Sequence, residues 1–246
     1  MKIIVFVKRV PDTESRIVIS GTDIDTSDFS YIVNPYDEYA VEEALKIQES
    51  MGGEVVIMTL GRDAVKEIRN ALAMGADRAV YLEAEAPAGD TYATARILAA
   101  ALMGESFDLL LFGKMAVDDG AAAVGPMVAE LLGLPCVSSI DNLEVAADRV
   151  VARMPIEGGA HVMELPLPAV VTADKGLNEP RYPSLRGIMQ AKRKPMDSKA
   201  PEKVEAKFSV LELQAPPPRP PGKIVGDGVA AVPKLVELLR VEAKVI

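Results

Sequence analysis

Short apolar runs separated by stretches of helical periodicity constrain this chain more than any other feature. Lys2–Val7 (KIIVFV), Glu54–Leu60 (EVVIMTL), Leu109–Phe112 and Ala169–Ala173 (AVVTA) lack the apolar–polar alternation of a half-exposed strand. Runs of this kind suit strands covered on both faces, which means a parallel sheet between helical layers. The segments between them read as helices. Glu38–Met51 carries Ala40, Val41, Ala44, Leu45 and Ile47 at helical spacing and stops at Gly52-Gly53. Ala64–Met74 ends at Gly75, Arg78–Leu82 makes another short strand, and Thr91–Met103 is amphipathic. The expected fold is α/β, an open, doubly wound and mostly parallel sheet. Right-handed crossovers would align the loops after residues 7, 60 and 112 along one edge, where open α/β sheets bind ligands.

The stretch Asp108–Leu132 (DLLLFGKMAVDDGAAAVGPMVAELL) runs from such a strand, through a loop at Gly113–Gly120, into a helix that starts with small residues. Strand, loop and helix N-terminus can cradle a phosphate, because unpaired N–H groups and the positive helix end face the anion. The loop is neither a Walker A motif nor GxGxxG, so an ordinary tight connection is the other reading. Two loops would face it across the sheet edge. One is Phe6–Arg9; the other is Thr59-Leu60-Gly61. Asn34-Pro35-Tyr36-Asp37 reads as a turn leading into the first helix.

The second half has a different texture. Ser138–Leu143, Arg149–Pro155 and Ala160–Leu165 read as strands joined by Asp/Gly turns, an antiparallel extension of the sheet. A polar loop from Asp174 to Met189 follows the last buried strand and leads to Lys192, Arg193 and Lys194, which could steer an acidic partner or simply end a solvated helix. At Pro195 the composition shifts. Pro216-Pro217-Pro218-Arg219-Pro220-Pro221 can be neither helix nor central strand and predicts an extended spacer. A last helix, Gly228–Val241, puts Val232, Leu235, Leu238 and Leu239 on one face. The expected division is a nucleotide-binding domain at residues 1–194, with a partner-docking loop at 174–189, and a C-terminal arm and helix at 195–246 that pack on a partner or on their own core.

The totals exclude several classes. A formal net charge of −9 argues against nucleic acid as the main partner. One cysteine, Cys136, and one histidine, His161, leave little for a disulfide, a soft metal site or a Cys/His nucleophile pair. Neither a signal-peptide core nor a membrane-length apolar window is present. A protein of the cytoplasm, or of a mitochondrial matrix, is the expectation.

Five blocks, in order, resemble one known family. They are FVKRVPD (6–12), NPYDEYAVEEAL (34–45), ALAMGADRA (71–79), GKMAVDDGAAAVGP (113–126) and VTADKGLNEPRYPSLRGIMQAKRKP (171–195). Together they resemble the β subunit of electron transfer flavoproteins. The resemblance implies a heterodimeric electron carrier rather than an enzyme, whose redox FAD lies mainly in the α subunit. It implies partners of three kinds: that α subunit, an acyl-CoA or related dehydrogenase of fatty-acid β-oxidation, and a quinone reductase or other acceptor.

Carried over block by block, the resemblance implies a structural AMP in this chain. Its phosphate would lie on the backbone of Gly113 to Val124, with Ala116, Asp119, Ala122, Ala123 and Val124 as candidates. Adenine and ribose would meet Phe6, Asn34, Pro35, Tyr36 and Asp37, with Leu60 closing the pocket. Asp118 and Asp119 are tolerable there if their side chains turn away while their N–H groups face inward. Electron-bifurcating members hold a second FAD at this place. Their DGDT pattern is missing at Asp118-Asp119-Gly120-Ala121, but Val124-Gly125-Pro126 resembles them, whereas Gly158-Gly159 resembles the non-bifurcating group. The balance favours AMP. Leu185, flanked by Arg181 and Arg186, falls where the family inserts a leucine into partner dehydrogenases; the alternative is a leucine folded onto its own core. A free-standing adenine-nucleotide-binding module is the competing function of another class, and it would need neither the 171–195 loop nor the tethered tail.

Overall fold

The computed structural model describes residues 1–84, 89–219 and 221–246. It forms two compact units, Met1–Leu211 and Glu212–Ile246. The first is built on a sheet of seven strands, all paired in parallel: β1 (Lys2–Phe6), β6 (Glu54–Gly61), β7 (Arg78–Glu83), β8 (Leu109–Gly113), β9 (Cys136–Ile140), β13 (Ala169–Ala173) and β14 (Met196–Lys199). The spatial order is β14-β7-β6-β1-β8-β13-β9. The apolar runs predict this because both faces of the central strands are buried. Ile3, Val5, Val55, Ile57, Leu109 and Leu111 face one core, and Ile4, Phe6, Val56, Met58, Leu110 and Phe112 face the other. Helices α1 (Pro35–Met51) and α2 (Val65–Met74) contribute to the first core; α3 (Thr91–Leu102) and α4 (Val124–Leu132) contribute to the second.

Strand order places the site. From β1 the chain moves outward through β6 and β7, then returns to lay β8 on the other side of β1. The two crossovers therefore leave adjacent strands in opposite directions, and a crevice opens over the carboxyl ends of β1 and β8. Between β1 and α1 the chain makes two small hairpins. In one, β2 (Arg9–Pro11) pairs with β5 (Tyr31–Val33); in the other, β3 (Ile19–Ser20) pairs with β4 (Asp23–Ile24). The expected turn at Asn34–Asp37 is instead the start of α1: Pro35 stands in its first turn and Asn34 is its N-cap residue. Proline fits there because its missing N–H would have no helical acceptor.

The antiparallel extension is a separate three-stranded sheet, β10 (Asn142–Val145), β11 (Arg149–Ile156) and β12 (Gly159–Pro166). It leaves the central sheet after β9 and returns to it at β13. Strand β13 then lies between β8 and β9, so the link onward to β14 must cross the α1–α2 layer to reach the opposite edge. That link carries α5 (Leu185–Ala191), which rests on α2 so closely that a Cβ at Gly187 would collide with the Ala73 carbonyl oxygen.

In the second unit, a 3₁₀ turn at Val229–Ala231 leads into α6 (Val232–Val241). Residues 216–219 are neither helix nor strand, and Pro220 of the expected spacer lies outside the described residues. No helix among the described residues is long and apolar enough to cross a membrane.

Lys194 has a structural role that its basic neighbours concealed. Its ammonium donates to the carbonyl oxygens of Leu72 (3.0 Å), Gly75 (2.9 Å) and Ala76 (2.6 Å) at the end of α2. A cation there satisfies carbonyls that the helix leaves open and meets the negative end of its dipole. Lys194→Ala is expected to lower the unfolding free energy by about 1–2 kcal/mol, a charge-assisted capping loss, read as a shift in the urea midpoint.

Candidate functional site

Two buried polar side chains hold the crevice together. Asn34 and Asp37 are 1% and 6% exposed, one turn apart at the start of α1, and the Asn34 amide donates to Asp37 Oδ1 at 2.8 Å. Asp37 also accepts from the backbone N–H of Lys8 (2.7 Å), just after β1, and of Gly113 (3.2 Å), at the end of β8. Asn34 donates to the Met115 carbonyl (2.9 Å) and accepts from the Val117 N–H (3.1 Å). Two segments distant in sequence, the one after β1 and the one leaving β8, are thus joined through one helical turn. Gly113 is required: a Cβ would sit 2.7 Å from the Tyr36 carbonyl carbon and 2.8 Å from the Asp37 nitrogen.

Above this knot the loop from Lys114 to Ala123 runs into α4. Gly120 donates to the Ala116 carbonyl (2.8 Å), and the chain passes through Ala122 with φ 51°. A non-glycine residue in the left-handed region costs about 1 kcal/mol, so the surroundings must impose it. Helix α4 begins at Val124 without a side-chain cap, since its N-cap residue is Ala123. Its first N–H groups therefore remain able to bind an anion. A Cβ at Gly125 would lie 2.8 Å from Thr172 Cγ2 and 3.3 Å from the Phe112 ring, so only glycine lets α4 begin this close to the sheet. The floor is apolar: Phe6 and Phe112, at the ends of adjacent strands, stack with centroids 3.9 Å apart. Leu60, at the end of β6, packs against the same cluster.

Lysine offsets part of the negative charge around the loop. Lys8 Nζ lies 2.8 Å from Asp118 Oδ1 and 3.0 Å from Asp119 Oδ2. Burial works against the Lys8 charge, but the two carboxylates outweigh it and hold its pKa above the ordinary lysine value. Asp119 Oδ1 accepts from the Ala121 N–H (3.0 Å). Both acids are thereby engaged within the loop and its lysine. On the other side, Lys114 pairs with Asp174 (2.9 Å) and sits 5.1 Å from the centre of the Tyr36 ring.

A family model of the electron transfer flavoprotein domain matches residues 23–204. The similarity extends over whole chains. An electron transfer flavoprotein subunit beta from Bacillus subtilis is 41% identical over 257 residues, covering all of both chains. That of Syntrophomonas wolfei is 40% identical over 248 residues, 100% of this chain and 98% of the relative. The human one is 37% identical over 252 residues, 98% of this chain and 99% of the relative. The chain belongs to the electron transfer flavoprotein β-subunit family.

Of the residues singled out from the β-subunit resemblance, Phe6, Asn34, Pro35, Tyr36, Asp37, Gly113, Ala116, Asp119, Ala122, Ala123 and Val124 lie along the two central strand ends, the start of α1 and the loop into α4. Leu60 stands at the end of the neighbouring strand. The polar atoms of Asn34 and Asp37 are engaged in tethering loops. Sequence reasoning did not single out Lys8 as a partner of Asp118 and Asp119, and a lone lysine after a buried strand gave no signal for it.

The segment assigned to docking divides in two. Leu185 is 84% exposed and Tyr182 95%, and Ser184 caps α5 by accepting from the Gly187 N–H (3.0 Å). Arg186 is exposed beside them. Arg181 reaches back to α1: it meets Glu42 at 2.8 and 2.9 Å and pairs with Glu49.

Burial pushes the Asp37 carboxyl up to about 7, against the donors from Lys8, Asn34 and Gly113 that favour its ionised form. The folded value lies above the ordinary 3.8, so this group's contribution to stability is complete below 3.8 and is lost as pH rises through about 7. The unfolding free energy of the wild type relative to Asp37→Asn should therefore fall as pH rises between those values. The slope should reach at most about 1.4 kcal/mol per pH unit, measured by urea unfolding at stepped pH.

Proposed function

We propose that this chain is the β subunit of a heterodimeric electron carrier and that it holds an adenine nucleotide, AMP, in the crevice over β1 and β8. Its partner would be an α subunit that houses the redox FAD. The observation that carries the reading is the convergence at that crevice: the segments leaving β1 and β8, joined by Asn34 and Asp37 at the start of α1, beneath a helix N-terminus that has no side-chain cap. A phosphate suits such a helix start, and the stacked Phe6 and Phe112 supply an apolar floor beside it. Lys8, paired with both acids of the loop, offsets one of their two charges and so reduces their opposition to an anion.

In this reading the residues of the chain bind and orient; they transfer no proton and form no bond with a substrate. The flavin of the partner supplies the reversible uptake of electrons. The exposed Tyr182 and Leu185 present an apolar tip to a dehydrogenase, where a single desolvated anchor can dominate binding, and electrons pass on to a quinone reductase or another acceptor.

The test is to co-express the chain with its α subunit, denature the purified complex and identify the released nucleotides by chromatography and mass. One FAD and one AMP per heterodimer support the reading. Two FAD and no AMP would replace it with an electron-bifurcating flavoprotein subunit that holds a second FAD in the crevice. A stable monomer that binds nucleotide without any α subunit would make it a free-standing nucleotide-binding module.

Two substitutions refine the assignment. Gly125→Val should displace the start of α4 and lower nucleotide occupancy in the purified heterodimer by about tenfold, as expected when overpacking costs at least 1–2 kcal/mol at the contact; full occupancy would refute the phosphate site. Leu185→Ala should slow reduction of the complex by an acyl-CoA dehydrogenase about tenfold, the usual size of a truncated anchor, with nucleotide content unchanged. Unaltered rates would remove Leu185 from the docking site.

A further inference from the structure

Helix α1 touches both functional regions. Its first turn carries Asn34 and Asp37, which hold the loops of the crevice. The same helix carries Glu42, Glu43 and Glu49, and all three engage the segment that crosses over it toward α5. Arg181 places its Nε 2.8 Å from Glu42 Oε2 and one terminal nitrogen 2.9 Å from Glu42 Oε1, and it also pairs with Glu49. The backbone N–H of Arg181 donates to Glu42 as well, at 3.1 Å. Three residues earlier, Asn178 donates to Glu43 (2.9 Å) and to the Tyr39 carbonyl (2.9 Å). Glu42 and Glu43 are buried at 5% exposure each. A planar guanidinium held in a fork by two carboxylates fixes position as well as charge, and the pairing raises the Arg181 pKa above its ordinary value.

The residue after this clamp is Tyr182, 95% exposed, and Leu185 follows at 84%. Arg181 is therefore the last fixed point before the exposed tip. Removing it would leave the tip tethered through Asn178 on one side and α5 on the other.

We infer that Arg181 is a positioning residue that couples the crevice to the exposed tip: through its pairs with Glu42 and Glu49, order imposed on the start of α1 by an adenine nucleotide is passed to residues 178–191. This rests on the proposed nucleotide site. The coupling is one of stiffness rather than of a second conformation. A ligand that quiets Asn34, Asp37 and the loops they hold removes motion from α1, and the segment clamped to α1 is ordered with it. The link between Lys114 and Asp174 is a separate contact at the entrance to the same loop and does not involve Arg181.

The experiment is amide hydrogen exchange on the full heterodimer, stripped of nucleotide and then refilled with AMP, for the wild type and for Arg181→Met, Arg181→Lys and Glu42→Gln. Exchange is read separately in the crevice loops and in residues 178–191. In the wild type, AMP is expected to slow exchange in 178–191 roughly threefold or more, a modest coupling by the usual scale. In Arg181→Met and Glu42→Gln, AMP should slow the crevice loops as before while its effect on 178–191 falls by at least half, the remainder passing through Asn178 and Asp174. Arg181→Lys should recover part of it, since one ammonium can still meet one carboxylate. A purely structural clamp would speed exchange in 178–191 with and without AMP alike and leave the AMP effect in place; that result overturns the coupling, as does a wild-type tip indifferent to AMP while the crevice loops respond. If AMP protects no crevice loop at all, the nucleotide reading fails instead, so the two failures are distinct.

Discussion

A carboxylate and an amide buried at the start of one helix hold the functional end of this protein in shape. Parallel strands leave their connecting loops unpaired at the carboxyl edge, so those loops need other partners. Asp37 and Asn34 supply them, binding the backbone after β1, at the end of β8 and within the loop beyond it. Burying such groups is tolerable only when their hydrogen bonds are met. Every partner of Asp37 is a donor, so the ionised form is well matched even as burial pushes its pKa upward. The opposition between desolvation and three donors makes this group the natural reporter on the crevice.

The loop into α4 solves an electrostatic problem in the same economical way. An uncapped helix start favours an anion, yet the loop contains two aspartates. Lys8, just beyond the end of the strand that forms the floor, lies close enough to both to offset one of their two charges. Close packing beneath is enforced by size: Gly113 and Gly125 each stand where a methyl group would strike a neighbour. The small residues therefore define how near the backbone of the loop can come to the sheet.

Helix α1 runs from the crevice to the segment that crosses over it. One end belongs to the crevice, and its length carries the acids that receive Asn178 and Arg181. The crossing segment exists because β13 lies between β8 and β9 while β14 occupies the far edge. Sheet order thus forces a loop over α1 and α2, and the loop carries the exposed Tyr182 and Leu185 with it.

The sequence by itself determined the parallel sheet, the alternation of strands and helices and the edge at which the central loops gather. Those properties follow from local periodicity and from the handedness of crossovers. Five ordered blocks also carried the β-subunit resemblance, which the family comparison and full-length relatives bear out. Only the tertiary structure decided which polar groups meet. Lys8 pairs with acids 110 and 111 residues away, and Arg181 with a glutamate 139 residues away. Asn34-Pro35 illustrates the limit locally. The pair suits a turn or a helix start equally well, and what distinguishes this one is that the Asn34 side chain meets Met115, Val117 and the Asp37 carboxylate instead of capping the N–H groups of its own helix. Periodicity is a property of neighbours in the chain. The identity of a buried hydrogen-bond partner depends on strand order and register, which exist only once the whole sheet has formed.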